Sequence, residues 1–261
     1  MARPSQGWWL KLANILGFLL FTASSLYTKF TDKDRVGAPV DTYLSPAPWF
    51  FDTWYCINAL FFGMVMYQYS PSGSTIIVEV LGWKVPFLFV LNALCGTGYA
   101  FHKVHLFRLL AFAVLCLCAV IVSELYGSLR TGPEPVTWLD ALLIRVPLSM
   151  YHAFITVIFF SAALGVIGAD TSNNAGILTK LFVLVVLFFL QSAAAAYVFF
   201  GNVDVVGAFV ISLGIFAIFQ HQKGSTFIRW SAFVLQGTSQ ALLAQRDAPN
   251  GTDEEATPLV Q

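Results

Sequence analysis

Leu178–Phe199 reads LTKLFVLVVLFFLQSAAAAYVF, a run that leaves few fold classes open. An α-helix needs about 20 mostly apolar residues to cross the ~30 Å hydrocarbon core of a bilayer. This run is long enough. Six more candidates accompany it: Trp8–Tyr27, Trp49–Gln68, Pro86–Phe101, Leu106–Tyr126, Leu142–Ile167 and Val205–Phe219. The third and the last are short, and flanking aromatic and polar residues can lengthen them by snorkelling or local thinning. The expected fold is therefore all-α, a polytopic transmembrane helical bundle of about seven spans. Thr226–Ala244 is the alternative eighth span. Its Arg229, Gln236, Ser239 and Gln240 favour an interfacial helix instead.

Composition supports this reading and excludes others. Of the 261 residues, 57% are hydrophobic and 11% charged, with a mean hydropathy of +0.73. Soluble domains carry about 25% charged residues, so this chain lacks the means to cover itself with a hydrated surface. Fourteen basic residues balance fourteen acidic ones, which removes any case for nucleic-acid binding by bulk charge. The four cysteines, Cys56, Cys95, Cys116 and Cys118, lie in apolar segments without metal-ligand spacing and read as buried free thiols. No metal, cofactor or nucleotide motif is present, nor HExxH, GxSxG or paired carboxylates.

The breaks between spans carry turn chemistry: Thr31–Pro48, SPSGS at Ser70–Ser74, RTGPEP at Arg130–Pro135, DTSNNAG at Asp170–Gly176, and Gly201–Asp204. Residues 1–246 then form one bundle ending in the interfacial helix, and 247–261 form a disordered acidic tail. With seven spans, Arg3, Lys11, Lys84, Arg130 and Arg145 fall on one side of the membrane. Lys29, Lys33, Arg35, Lys103, Arg108, Lys180, Lys223, Arg229 and Arg246 fall on the other. The excess of basic residues places the second side, and the C-terminus, in the cytosol. The tail holds a glycosylation sequon at Asn250 and an acidic dileucine-like signal from Glu255 to Val260, which require opposite sides. The setting is an endomembrane (vacuole, Golgi or endoplasmic reticulum) or the plasma membrane of a eukaryote. Expected partners are membrane lipids, a hydrophobic small molecule and, as a candidate assembly, a second copy of the chain.

Ionisable groups inside hydrocarbon are costly, so each is a functional candidate. They are Asp52, Glu124, Asp140, Arg145 and His152. Arg145 reads as a structural clamp to Glu124 or Asp140, ahead of a proton or substrate relay. Asp52 reads equally as a dipole-stabilised helix start or as a working acid. Asn14, Asn58, Asn92 and Gln191 read as interhelical hydrogen-bonding groups.

Pro46-Ala-Pro48-Trp49-Phe50-Phe51-Asp52-Thr53-Trp54, at the mouth of a span, resembles the tryptophan-rich sensory protein/translocator protein family, above all its longer microbial and fungal relatives. Leu91-Asn92 and Arg145-Val-Pro147-Leu-Ser-Met-Tyr151, followed by Ala153-Phe-Ile-Thr-Val, extend the likeness from about Ser45 to Ile167. Asn58 stands where such relatives carry Tyr, and Cys95 where they carry Trp. The resemblance implies a helical bundle with a pocket of tetrapyrrole or sterol type, and Trp49, Phe51, Trp54, Asn92 and Tyr151 as its ligand-binding residues. Trp49 and Trp54 stand about 140° apart on a helix, so both cannot face one ligand. The leading expectation is a non-catalytic protein that binds or moves a hydrophobic molecule of tetrapyrrole, sterol or isoprenoid class in an aromatic intramembrane pocket. The rivals are a small proton- or ion-coupled transporter using Asp52, Arg145 and His152, and an intramembrane lipid cyclase or transferase. The last needs two acidic groups in one cavity.

Overall fold

A chain this apolar can satisfy its backbone polar groups inside a bilayer only by bonding them to one another, which favours helices. The computed structural model describes residues 4–31, 41–100, 105–132, 135, 137–167, 176–199, 203–222 and 225–247, and these are almost wholly helical. The acidic tail from residue 248, with the Asn250 sequon and the dileucine-like signal, lies outside them, as do Lys33, Arg35, Lys103 and Lys223.

The helices are α1 (Pro4–Thr31), α2 (Thr53–Tyr67, entered through a 3-10 turn at Pro48–Asp52), α3 (Pro71–Leu81), α4 (Lys84–Ala100) and α5 (His105–Thr131). They continue with α6 (Trp138–Ile167), α7 (Ile177–Phe199), α8 (Val205–His221) and α9 (Thr226–Asp247). Over their described residues, all seven stretches expected to span are helical, the second entered through its 3-10 turn. By length and apolarity, Gly7–Tyr27, α5, α6 and α7 suffice to cross a membrane, and the bent pair α3 plus Lys84–Gly98 adds a fifth candidate. Val205–His221 is apolar but shorter.

α3 is the element absent from the sequence reading, which placed a turn at Ser70–Ser74. The turn ends at Ser70, whose hydroxyl accepts from the Gly73 N–H at 3.0 Å. Pro71 then occupies the first helical turn, where its missing N–H is no loss. The helix is wound as a π-helix over Ser74–Leu81 and stops at Gly82, whose φ of 58° needs a residue without a side chain. There the chain bends by 73° into α4.

Helix packing closes a ring: α1 lies on α4, α4 on α5, α5 on α6, α6 on α2, and α2 returns to α1. α7, α8 and α9 form a second group, in which α8 leans on α6 while α7 and α9 pack on α8 and on each other. Gly214 is a point of close approach in that join, since a side chain there would press on Val157 of α6 and on Phe50. α9 folds back along α8 and buries Ile228 and Ala232 completely. Arg229 lies over the Phe219 ring at 5.2 Å.

Polar side chains tie the ring at its seams. Asn14 of α1 donates to Gln68 at the end of α2 (2.9 Å), and Ser24 donates to the Ala93 carbonyl of α4 (2.9 Å). Residues 41–47, the described part of the α1–α2 connection, are non-helical yet largely buried. Their backbone finds partners beyond itself: Gln222 donates to the Thr42 carbonyl (2.9 Å), and the Ala47 N–H bonds the Ala217 carbonyl (3.0 Å). Ser161 of α6 lies 3.3 Å from the Ser45 hydroxyl.

If α8 is seated by the small residue at its contact with α6, Gly214→Leu should lower the stability of the detergent-purified chain. Overpacking of this kind costs about 1–3 kcal/mol, read as a lower thermal unfolding midpoint.

Candidate functional site

The inside of the five-helix ring is aromatic. Phe21 of α1 meets Trp54 of α2 edge-on at 5.3 Å between ring centres. Phe61 of α2 meets Phe89 of α4 at 5.3 Å and Tyr151 of α6 at 5.5 Å. Trp54 also leans on Tyr151 (5.9 Å) and Phe154 (5.4 Å). Edge-to-face and tilted arrangements at these distances let the positive rim of one ring meet the negative face of the next. α1, α2, α4 and α6 each send one or two of these rings inward, because 3.6-residue periodicity returns the same face every three or four positions.

One polar contact lies inside this aromatic shell. Tyr151 is fully buried, and its hydroxyl donates to Asn92 Oδ1 at 2.5 Å. The Asn92 amide is oriented by its own Nδ2, which donates to the Leu88 carbonyl one turn back (2.8 Å). Trp54 satisfies its indole N–H on Ser25 Oγ at 3.3 Å. Trp54, Asn92 and Tyr151 therefore come together in the ring. Phe51 reaches the same group at its edge, through Phe154 at 6.4 Å. Trp49 turns the other way, as its angular offset from Trp54 requires. It is 37% exposed and donates to Gln220 of α8 at 2.8 Å.

The five ionisable candidates do not converge. Asp52 is exposed at the start of α2 and makes no side-chain cap. Glu124 pairs with Lys84 at the start of α4 (2.9 Å), both half-exposed, so its ion pair joins α4 to α5. Asp140 is 1% exposed and sits in a knot of donors: Ser72 (2.7 Å), Tyr67 (3.0 Å), and both the N–H (2.9 Å) and hydroxyl (3.0 Å) of Thr137. With Thr137 it forms a reciprocal capping box that starts α6. Arg145 lines a small cleft beside Asp140, with Ile76 and Val80 of α3.

His152 belongs to a separate cluster, where the ring meets the α7–α8 connection. Its Nε2 lies 3.0 Å from Ser123 Oγ, its Nδ1 is bonded to the Tyr197 hydroxyl, and its ring stacks on Tyr126 at 4.8 Å. The Tyr126 hydroxyl donates to Asp204 (2.8 Å), which also caps α8 through the Gly207 N–H (3.0 Å). Arg130 lies over Tyr126 at 5.6 Å. Sequence reasoning named His152 but none of these partners, because a lone Tyr or Ser on an apolar helix carries no sign of what it will face. Phe21, Phe61 and Phe89 were missed for the same reason. Among the described residues no group of three or more His, Cys, Asp or Glu is placed to hold a metal ion.

Removing the Asp140 carboxylate strands the Ser72, Tyr67 and Thr137 donors in a buried place. Asp140→Ala should therefore cost about 2 kcal/mol of stability, measured as a shift of the unfolding midpoint. Asp140 lies away from the aromatic ring interior, so the variant should leave any ligand signal from Trp54 unchanged.

The geometry above can be set beside known proteins. The family model described as TSPO-like protein matches residues 8–244, which takes in every described helix from the first span to the last. No curated protein and no solved structure was found to match the chain. With apolar helices of membrane-spanning length and this match over most of its sequence, the chain is an integral membrane protein that belongs to the TSPO-like protein family.

Proposed function

We propose that this protein binds or translocates a hydrophobic small molecule of tetrapyrrole, sterol or isoprenoid class at the aromatic interior of its five-helix ring. The observation that carries the reading is the buried hydrogen bond of Tyr151 to Asn92, set among Trp54, Phe61, Phe89 and Phe154. Small-molecule sites combine mostly apolar walls with a few placed polar groups, and bundles build them between helices. Trp54 is the aromatic of this set at the entrance: only partly buried, and held by a single hydroxyl contact. A flat apolar guest would enter by displacing the indole from Tyr151 and Phe154, and Tyr151 or Asn92 would supply its polar contact.

The rival readings find less support. A proton- or ion-coupled transporter is favoured by one observation, the bonding of both His152 ring nitrogens within a cluster that leads through Tyr126 to Asp204. That reading would rest on Asp204 and Tyr126 in place of Asp52, which stands at the opposite end of the bundle. The enzyme reading needs two converging acids. Asp52 begins α2, whereas Glu124 lies near the end of α5 against the start of α4, so the two are at opposite ends.

The proposed setting is an endomembrane or the plasma membrane of a eukaryote, and the cytosolic placement of the C-terminus rests on the distribution of basic residues. A homodimer remains part of the proposal as an assembly state.

Tryptophan fluorescence of the detergent-purified chain tests the site. A tetrapyrrole, sterol or isoprenoid ligand should quench it; Trp54→Phe should remove most of that response and Trp49→Phe little. Tyr151→Phe should weaken binding by about tenfold, the equivalent of one hydrogen bond. Absence of quenching by all three classes refutes the proposal. For the orientation, expression in glycosylating microsomes should leave Asn250 unmodified; its modification would put the tail in the lumen.

A further inference from the structure

A groove runs between α7 and α9, on the far side of α8 from the aromatic ring. Leu184, Val185 and Phe188 form one bank and Phe227, Trp230 and Val234 the other, around a volume of about 760 Å³. That falls within the roughly 300–1,000 Å³ of small-molecule sites. Phe188, Trp230 and Val234 remain exposed, so the groove opens outward along its length. Thr226 and Ser231 are the polar residues of its lining. The Ser231 hydroxyl is spent on its own helix, donating to the Phe227 carbonyl at 2.8 Å. From Thr226 to Leu235 the α9 bank extends about 14 Å.

One end of the groove is basic. α8 runs back along α7 after the turn at Asp204, and α9 runs back along α8, so α7 and α9 start at the same end. Leu184 and Thr226 therefore mark one end of the groove. Lys180 stands one turn before Leu184 and two before Phe188 on the same stripe of α7, about 6 Å beyond the lining. It is half-buried, which suits a lysine that lays its stem on apolar surface and carries its ammonium to the interface. That ammonium forms no ion pair with a described residue. Arg229 belongs to the opposite flank of α9, where it covers the Phe219 ring at 5.2 Å.

We propose that the α7–α9 groove is a binding site for an anionic phospholipid, one acyl chain lying in the groove and the head group held by Lys180. The site is separate from the ring interior and makes no use of Trp54, Asn92 or Tyr151. Charge selects the occupant. Lys180 offers an unneutralised cation with three donors, and the Thr226 hydroxyl adds a fourth donor at the same end. An anionic head group answers both, whereas a zwitterionic one brings its own cation to compete with Lys180. A sterol hydroxyl would leave the ammonium without a counter-charge. The excess of basic residues assigns the Lys180 side to the cytosol, whose leaflet is the one rich in anionic lipids. A second copy of the chain fits less well: a two-fold contact sets the same surface of both copies together, and two concave strips do not fill each other.

The test is fluorescence quenching of the full chain in phosphatidylcholine vesicles, into which phosphatidylserine brominated in its acyl chains is titrated. Brominated phosphatidylcholine is the reference, and the Trp230 signal is the difference between the wild-type protein and Trp230→Phe. Phosphatidylserine should compete for the Trp230 site about fivefold better than phosphatidylcholine, the effect of one lysine at an anionic membrane surface. Lys180→Gln should bring that ratio near one, and Arg229→Gln should leave it unchanged. Neither position is buried, so both variants should keep the unfolding midpoint of the wild type. Ser231→Phe, which sets a ring in the middle of the groove, should lower Trp230 quenching by both lipids. Equal affinity for the two lipids, or a preference that survives Lys180→Gln, overturns the site. Displacement by oleate or a sterol more readily than by unbrominated phosphatidylserine overturns the occupant. The signal comes from Trp230, so failure here leaves the ligand response of Trp54 to decide the ring reading by itself.

Discussion

Hydrocarbon offers no partner to a peptide N–H or carbonyl, and every feature of this protein is arranged around that requirement. It accounts for the near-complete helicity of the described residues, and for how the chain behaves where it departs from a regular helix. Residues 41–47 are buried without helical bonds, and Gln222, Ala217 and Ser161 supply the partners. The π-wound stretches at Ser74–Leu81 and Ala141–Arg145 keep their backbone bonds internal while shifting the face that each helix presents. Asp140 stands between these stretches, receiving from Ser72 at the start of α3 and from Thr137 at the start of α6. An expensive buried charge is there the joint that anchors two irregular helices.

Two kinds of core follow from the same requirement. Inside the ring, aromatic rings supply most of the contact, and one tyrosine hydroxyl finds one amide oxygen. Between the ring and the second group of helices, polar contacts flank an apolar join at Gly214 and Val157: His152, Tyr197, Tyr126 and Asp204 at one level and the 41–47 segment at the other. Hydrogen bonds between helices in a membrane are each modest, about 0.6 kcal/mol on average, so it is their number and position that set the orientation of α8.

Much of the fold was legible because helix length and apolarity are local properties. The seven expected spans appear as helices at nearly their expected bounds. α3 was not legible, because Ser70, Pro71 and Gly73 are all turn-forming residues, and only the capping geometry makes them a helix start. The candidate site was partly legible. Trp54, Asn92 and Tyr151 were named from the family resemblance, and they do meet. Trp49 was named with them, but its indole is drawn to Gln220, a residue far along the chain. Glu124 was offered, with Asp140, as the partner of Arg145, whereas Lys84 is brought to it by the packing of α4 on α5. Such pairings depend on helix order in the ring, which composition and periodicity do not encode.

The docking of residues 41–47 has a consequence for how the protein is divided. The connection between the first two helices belongs to the ring by sequence, but the groups that hold it come largely from α8, nearly at the other end of the chain. The five-helix ring is therefore not a self-sufficient module to which later helices were added. Cutting the chain after α6 would leave a loop with exposed backbone at the mouth of the ring, and Trp49 without its anchor. The family match likewise runs over residues 8–244, so the matched unit and the folding unit are both the whole bundle.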